Sequence, residues 1–149
     1  MREMAMGDAM MIISAGIAGI NCALNVANYG TRVYLVDDTA SIGGMMARLD
    51  KTLPTNDCSI CIEAPQMYEV DKHPNIEILT NTEIRKVSAA NGCFKVRFVK
   101  KAKFIDEEKC TGCGKCVKAF PATVPHEMDA RVDGTRKLIY MPSPRLSST

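Results

Sequence analysis

The sequence predicts an α/β chain in two parts, a βαβ segment over residues 8–102 and a small cysteine-rich module over residues 103–149. Three observations carry that expectation. Two strand-like runs, Met10 to Ser14 and Arg32 to Val36, flank a stretch of helical spacing, Ile17 to Tyr29, that closes at Gly30. A glycine-rich turn, Ser14-Ala15-Gly16-Ile17-Ala18-Gly19, joins the first run to the helix. Late in the chain, Cys110-Thr111-Gly112-Cys113-Gly114-Lys115-Cys116 makes two successive C-x2-C steps.

Length and composition narrow the classes. A chain of 149 residues is the size of one average domain and can bury a real core. Its formal charge of +2, with no Trp, gives no case for nucleic acid or a membrane surface. Seven cysteines without an export signal point to a reducing compartment, the cytoplasm, where thiols serve metal or redox chemistry instead of disulfide staples. The apolar run Ala9 to Ile20 is too short to span a bilayer. The opening Met1 to Met6 lacks periodicity and is expected to be a frayed leader.

The turn at 14–19 is G-x-G-x-x-G with Ser14 in place of the first glycine, the residue that makes the tight turn. Gly16 lets the backbone approach a pyrophosphate at the helix amino terminus, and Gly19 lets helix and strand pack closely. Asp37, 21 residues after Gly16, stands where an acid accepts hydrogen bonds from an adenosine ribose. Strand, turn, helix, strand and acid in register predict a Rossmann-like dinucleotide site for FAD or NAD; a fold in which the glycines serve packing alone is the alternative. Ile42-Gly43-Gly44 resembles a stretch that recurs in FAD-binding flavoproteins of the two-dinucleotide-domain kind and so favours FAD, against an ordinary glycine turn. Asp38 reads as a solvated loop acid.

Cys58 and Cys61 form a further C-x2-C, preceded by Asp57 and followed by a helix through about Val70. Thiols in the first turn of a helix have lowered pKa, so the two form a possible redox or ligand pair, with a plain buried pair as the alternative. Cys22 and Cys93 read as packing residues, and the Met pairs at 10/11 and 45/46 as core filler. Ile76 to Thr80 reads as a strand. Glu83 to Ala89 and Phe94 to Val99 read as a hairpin about Asn91-Gly92 that completes the same small sheet. Lys100, Lys101 and Lys103 read as a solvated face.

In the cysteine module, Cys110, Cys113 and Cys116 match the run that wraps an iron-sulfur cube in bacterial-type ferredoxins. Phe120 stands where the fourth cysteine precedes Pro121, and no second run follows, so half of a two-cluster module is expected. The alternative is a zinc tetrahedron of the three thiolates and His126. Gly112 and Gly114 favour the cluster, whose sulfides need close approach of backbone amides.

Taken together, Gly16-Ile17-Ala18-Gly19, Ser41-Ile42-Gly43-Gly44, the run Leu49 to Ser59 and Cys110-Thr111-Gly112-Cys113 resemble the iron-sulfur flavoprotein of CoB/CoM heterodisulfide reductase, its A-type polypeptide. Pro54-Thr55-Asn56-Asp57-Cys58-Ser59 is the most specific stretch. The similarity runs from about Met10 to about Pro144 and covers the first FAD-binding segment of that flavoprotein and the start of its inserted ferredoxin domain. The resemblance implies FAD on Gly16, Ile17, Ala18, Gly19, Asp37, Gly43 and Gly44, and a 4Fe-4S cluster on Cys110, Cys113 and Cys116. With three local thiolates, that cluster is expected as 3Fe-4S or incomplete unless another group completes it. It also implies electron transfer through the flavin while partner subunits reduce the mixed disulfide of coenzymes M and B, a reaction of methanogenesis, and partners among those subunits and electron-donor proteins. Ser14, Phe120 and the early end depart from the pattern and allow a truncated or degenerate product. The expected fold is therefore a Rossmann-like FAD-binding segment followed by a partial ferredoxin-like iron-sulfur module, with no catalytic His or carboxylate pair. A small iron-sulfur or zinc module without flavin, or an inactive fragment, are the alternatives.

Overall fold

The computed structural model describes residues 2–5, 9–90, 92–102, 105, 109–125 and 134–140. Asn91, Lys103 and His126 lie outside the described residues. Contacts divide the chain into two units, Met1–Lys103 and Phe104–Thr149.

The first unit is mixed α/β. In chain order it contains β1 (Arg2–Ala5), β2 (Ala9–Ile13), α1 (Ile17–Asn28), β3 (Arg32–Val36), a 3-10 turn (Met46–Arg48), β4 (Lys51–Thr52), β5 (Asp57–Cys58), α2 (Ser59–Lys72), β6 (Ile76–Leu79), β7 (Thr82–Ala90) and β8 (Cys93–Lys100). β3 is the centre of a three-stranded parallel sheet, with β2 on one side and β6 on the other. Its Val33, Leu35 and Val36 are fully buried, as expected of a parallel strand covered on its faces. α1 crosses between β2 and β3 and buries Ile20, Ala23, Leu24 and Ala27, one stripe at three- and four-residue spacing. The helix stops because Gly30 takes φ +86° and returns its N–H to the Ala27 carbonyl at 2.9 Å. α2 packs beside it, and Asn21 Nδ2 donates to Gln66 Oε1 across the two helices at 3.0 Å.

The hairpin does not complete the parallel sheet. After β6, Asn81 takes φ +52°, the Thr82 N–H donates to the Asp37 carbonyl at 2.8 Å, and β7 turns away. β7 and β8 form a second, antiparallel sheet in which Val96 and Phe98 are buried while Phe94 is 63% exposed. The opening segment is not frayed over Arg2–Ala5: it pairs antiparallel with β8, Arg2 opposite Phe98 and Ala5 opposite Lys95. The free edge of β8 offers unpaired backbone groups, and an added strand satisfies them. Two packing expectations are corrected as well. Cys22 is exposed because the inward stripe of α1 runs through Ile20, Ala23, Leu24 and Ala27; Cys93 is exposed at the start of β8, and Met10 and Met45 are 43% and 57% exposed.

The second unit holds α3 (Lys115–Ala119) and a two-stranded ribbon, β9 (Thr123–Pro125) paired antiparallel with β10 (Thr135–Lys137). Lys137 Nζ donates to the Phe120 carbonyl at 3.0 Å, tying the ribbon to the end of α3. Among the described residues, no helix is long and apolar enough to cross a membrane.

Candidate functional site

The turn between β2 and α1 forms tightly although it begins on serine. Ser14 takes φ +95°, a conformation that favours glycine, and its N–H donates to the Val36 carbonyl at 2.7 Å. Its carbonyl lies against Gly19: a Cβ placed there would stand 1.8 Å from the Ser14 oxygen, so no side chain fits. Gly16 caps α1 with extended backbone and no side-chain cap, which leaves the amides of the first turn of a twelve-residue helix without a side-chain partner. Gly43 pairs with Gly16 as an isolated parallel bridge, and its N–H donates to the Ala15 carbonyl at 2.7 Å. Gly44 approaches so closely that a Cβ on it would lie 3.0 Å from Gly16 Cα. Gly16, Gly43 and Gly44 thus meet, while Gly19 packs against Ser14, with Ile17 and Ala18 in the first turn of the helix.

Asp37 reaches the same turn. Its Oδ2 accepts from the Ala15 N–H at 2.6 Å, and its Oδ1 accepts from the Thr39 N–H at 2.9 Å and from the Thr39 hydroxyl. The carboxylate therefore clamps the glycine turn to the end of β3, and a carboxylate still has lone pairs for one further donor. Beside it opens a cavity of about 280 Å³, lined among others by Ser14, Asp37, Asp38, Thr82 and Glu83. It lies outside the carboxyl ends of β2 and β3, the position at which open parallel sheets take ligands. These features fit a dinucleotide: bare helix amides for a diphosphate and glycine backbones where a Cβ would block approach.

Cys58 and Cys61 are joined as a disulfide, with Cα atoms 5.3 Å apart. Cys58 caps α2 and Cys61 lies exposed in its first turn, so the plain buried pair is corrected, and in the bonded form neither sulfur is free to ligate a metal. The pair also departs from the expectation of thiols without disulfides; the other five cysteines are free.

Sequence reasoning missed Glu63. It is fully buried on the stripe Ser59, Glu63, Met67 and Val70, and neither carboxylate oxygen has a hydrogen-bond partner. Burial pushes its carboxyl above the usual range. The spacing of four from Ser59 and from Met67 was the available signal, since it places an acid on the inward stripe. Thr39, which holds Asp37, was missed too.

Cys110, Cys113 and Cys116 stand exposed in the loop and first turn of α3. Gly112 and Gly114 take φ +65° and +69°, which curl the chain around Cys113. Hydrogen bonds from the Lys115 backbone and then the Thr111 side chain draw the Cys113 thiol below its ordinary value, towards the thiolate that soft metals bind. Among the described residues no three His, Cys, Asp or Glu are gathered into a ligand set, so the three thiols are near in sequence without converging. As donors, three thiolates fit a soft metal or an iron-sulfur cluster.

The comparisons match both units. Residues 101–119 match the family model of a 4Fe-4S binding domain. The chain is 47% identical over 144 residues to the first of two A-type iron-sulfur subunits of CoB--CoM heterodisulfide reductase in Methanopyrus kandleri, covering 97% of this chain and 21% of that protein. It is 50% identical over 135 residues to the A-type subunit of the H(2)/formate:CoB-CoM heterodisulfide,ferredoxin reductase of Methanococcus maripaludis, covering 91% of this chain and 20% of that protein. Among solved structures, L-proline dehydrogenase from P. horikoshii matches with a TM-score of 0.54 and 28% identity, over 62% of this chain and 19% of that one. The chain thus spans about a fifth of the curated relatives it matches.

Proposed function

We propose, from homology to about a fifth of the A-type iron-sulfur subunits of heterodisulfide reductases, that this chain is an electron-transfer segment with a Rossmann-like FAD site and a ferredoxin-like 4Fe-4S site. The observation that carries the flavin reading is the junction of Gly16 with Gly43 and Gly44 at the uncapped start of α1. There the amides of the first turn orient a diphosphate, Gly19 keeps α1 against β2, and Asp37 holds the turn closed while offering a free lone pair to a ribose hydroxyl. The C-x2-C-x2-C run and the matching 4Fe-4S model support a cluster on Cys110, Cys113 and Cys116. When bound, FAD supplies the exchange between two-electron and one-electron couples, and the cluster supplies one-electron carriage. The protein's own residues bind and position these groups; no acid–base step is assigned to them. The partners are the other heterodisulfide reductase subunits and electron-donor proteins of the cytoplasm, and the electrons go towards disulfide reduction.

Anaerobic reconstitution with iron, sulfide and FAD tests this reading. The expected product is brown and holds both iron and releasable flavin. Uptake of zinc in place of iron supports the tetrahedral zinc site, and a chain that takes up neither flavin nor iron refutes the proposal.

A further inference from the structure

We propose that Cys58 and Cys61 are a thiol–disulfide exchange centre, a two-electron couple that accepts reducing equivalents from a dithiol, with Cys61 as the sulfur attacked. The proposal is independent of the flavin and cluster sites.

A structural staple is the weaker reading of this bridge. It spans a separation of three residues, so it closes one of the shortest possible loops and removes little freedom from the unfolded chain. The helix that carries it is already fixed by the buried Ser59, Glu63, Met67 and Val70. Its setting is instead that of a reactive pair. Cys61 is exposed, so an incoming thiolate has access, whereas Cys58 is partly covered. Released at the N-cap of a fourteen-residue helix, the Cys58 thiolate faces the amides of the first turn. On the neighbouring strand, Lys51 stands directly opposite Cys58 in the β4–β5 register, which puts the two side chains on one face of the hairpin and a cation beside the leaving sulfur. Asp50, Asp57 and Glu63 are the nearby acids in sequence, and Glu63 is fully buried, which holds its carboxyl above the usual range. Asp57 pairs with Thr52, and Asp50 meets α2 through its backbone carbonyl, which accepts the Ser59 N–H at 3.3 Å. Pro65 has no N–H to give the Cys61 carbonyl, so the first turn that carries the bridge lacks one helical hydrogen bond.

The step balances as follows. A partner thiolate attacks Cys61 Sγ, the Cys58–Cys61 bond breaks, and Cys58 leaves as thiolate while a mixed disulfide forms on Cys61. The partner's second thiol then attacks its own sulfur in that mixed disulfide and releases the Cys61 thiolate. Two electrons and two protons pass from the dithiol to the pair, and the partner leaves as a disulfide.

The test uses the full chain, first equilibrated with oxidised dithiothreitol, then titrated with mixtures of reduced and oxidised dithiothreitol. Acid quenching, maleimide labelling and peptide mass mapping read Cys58 and Cys61 apart from the five free cysteines. The expected result is joint gain of two labels at these positions, reversed by oxidised dithiothreitol, with unchanged far-ultraviolet circular dichroism. Lys51→Glu is expected to slow reduction roughly three-fold by raising the leaving thiol's pKa, and Lys51→Arg to retain the parent rate. The proposal is overturned if the pair is labelled fully without reductant, if the bridge opens only when the chain unfolds, if it fails to reform, or if Lys51→Glu matches the parent rate.

Discussion

Replacing Ser14 by glycine is expected to stabilise the first unit by about 1 kcal/mol. Ser14 is held at φ +95° from two sides, by its 2.7 Å bond to the Val36 carbonyl and by the contact of its own carbonyl with the backbone at Gly19. A non-glycine residue in such a conformation carries a strain of roughly 1–3 kcal/mol, which persists because the surroundings over-determine it. Glycine removes that strain but frees the unfolded chain, a loss of roughly 0.4–1 kcal/mol. The difference is a gain of about 1 kcal/mol, equivalent to about 2–4 °C in midpoint for a chain of this size. Urea titration and thermal unfolding of the parent, Ser14→Gly and Ser14→Ala measure it. Ser14→Ala keeps the strain and should lie within about 0.5 kcal/mol of the parent. A glycine variant no more stable than the alanine variant would falsify the strain argument.

Gly19→Ala should cost about 3 kcal/mol or more, since a Cβ at 1.8 Å from the Ser14 oxygen forces α1 off β2; a denaturation midpoint like the parent's would refute the close contact. Asp37→Ala removes the acceptor of the Ala15 N–H and should cost about 1–3 kcal/mol without any ligand present, and further flavin affinity in equilibrium titration. Retained stability would mean that the glycine bridge alone holds the turn. Glu63 ionises in the unfolded chain near its ordinary 4.5 but in the folded chain only above that. The parent therefore loses stability as pH rises from about 4.5 through the raised value, while Glu63→Gln does not. Urea midpoints from pH 4 to 8 should diverge in the variant's favour, and parallel profiles would count against burial as the cause. Cys113→Ser should abolish iron uptake on reconstitution while leaving flavin uptake in place; unchanged iron content would remove the cluster assignment.

The parts of the fold set by local pattern were legible in the residues. Arg32 to Val36 forms β3 with the expected bounds, and the glycine turn follows β2 and opens α1 as the strand–turn–helix order predicts. What depended on distant pairing was not legible. Nothing within Arg2–Ala5 marks a strand; its partner is an edge some ninety residues away. The serine at 14 read as a flaw in the turn, yet the network around it imposes the glycine-like conformation. Glu63 was hidden by its residue type, since acids seldom lie fully inside without a partner. At the cysteine run, spacing announces candidate ligands, but convergence of such thiols would follow from a bound group and cannot be read from order alone.

The attachment of β1 to the outer edge of β8 bears on the order of assembly. β7 and β8 can zip as a hairpin while contiguous, and β2, α1 and β3 can associate once their own residues exist. β1 cannot, because Arg2 must wait for Phe98. During synthesis that strand stays solvent-exposed until nearly the whole first unit has left the ribosome, and its docking is a late, long-range loop closure. Until then the β8 edge is open to strands from other molecules, so the window between hairpin formation and β1 docking is where off-pathway association is most readily seeded.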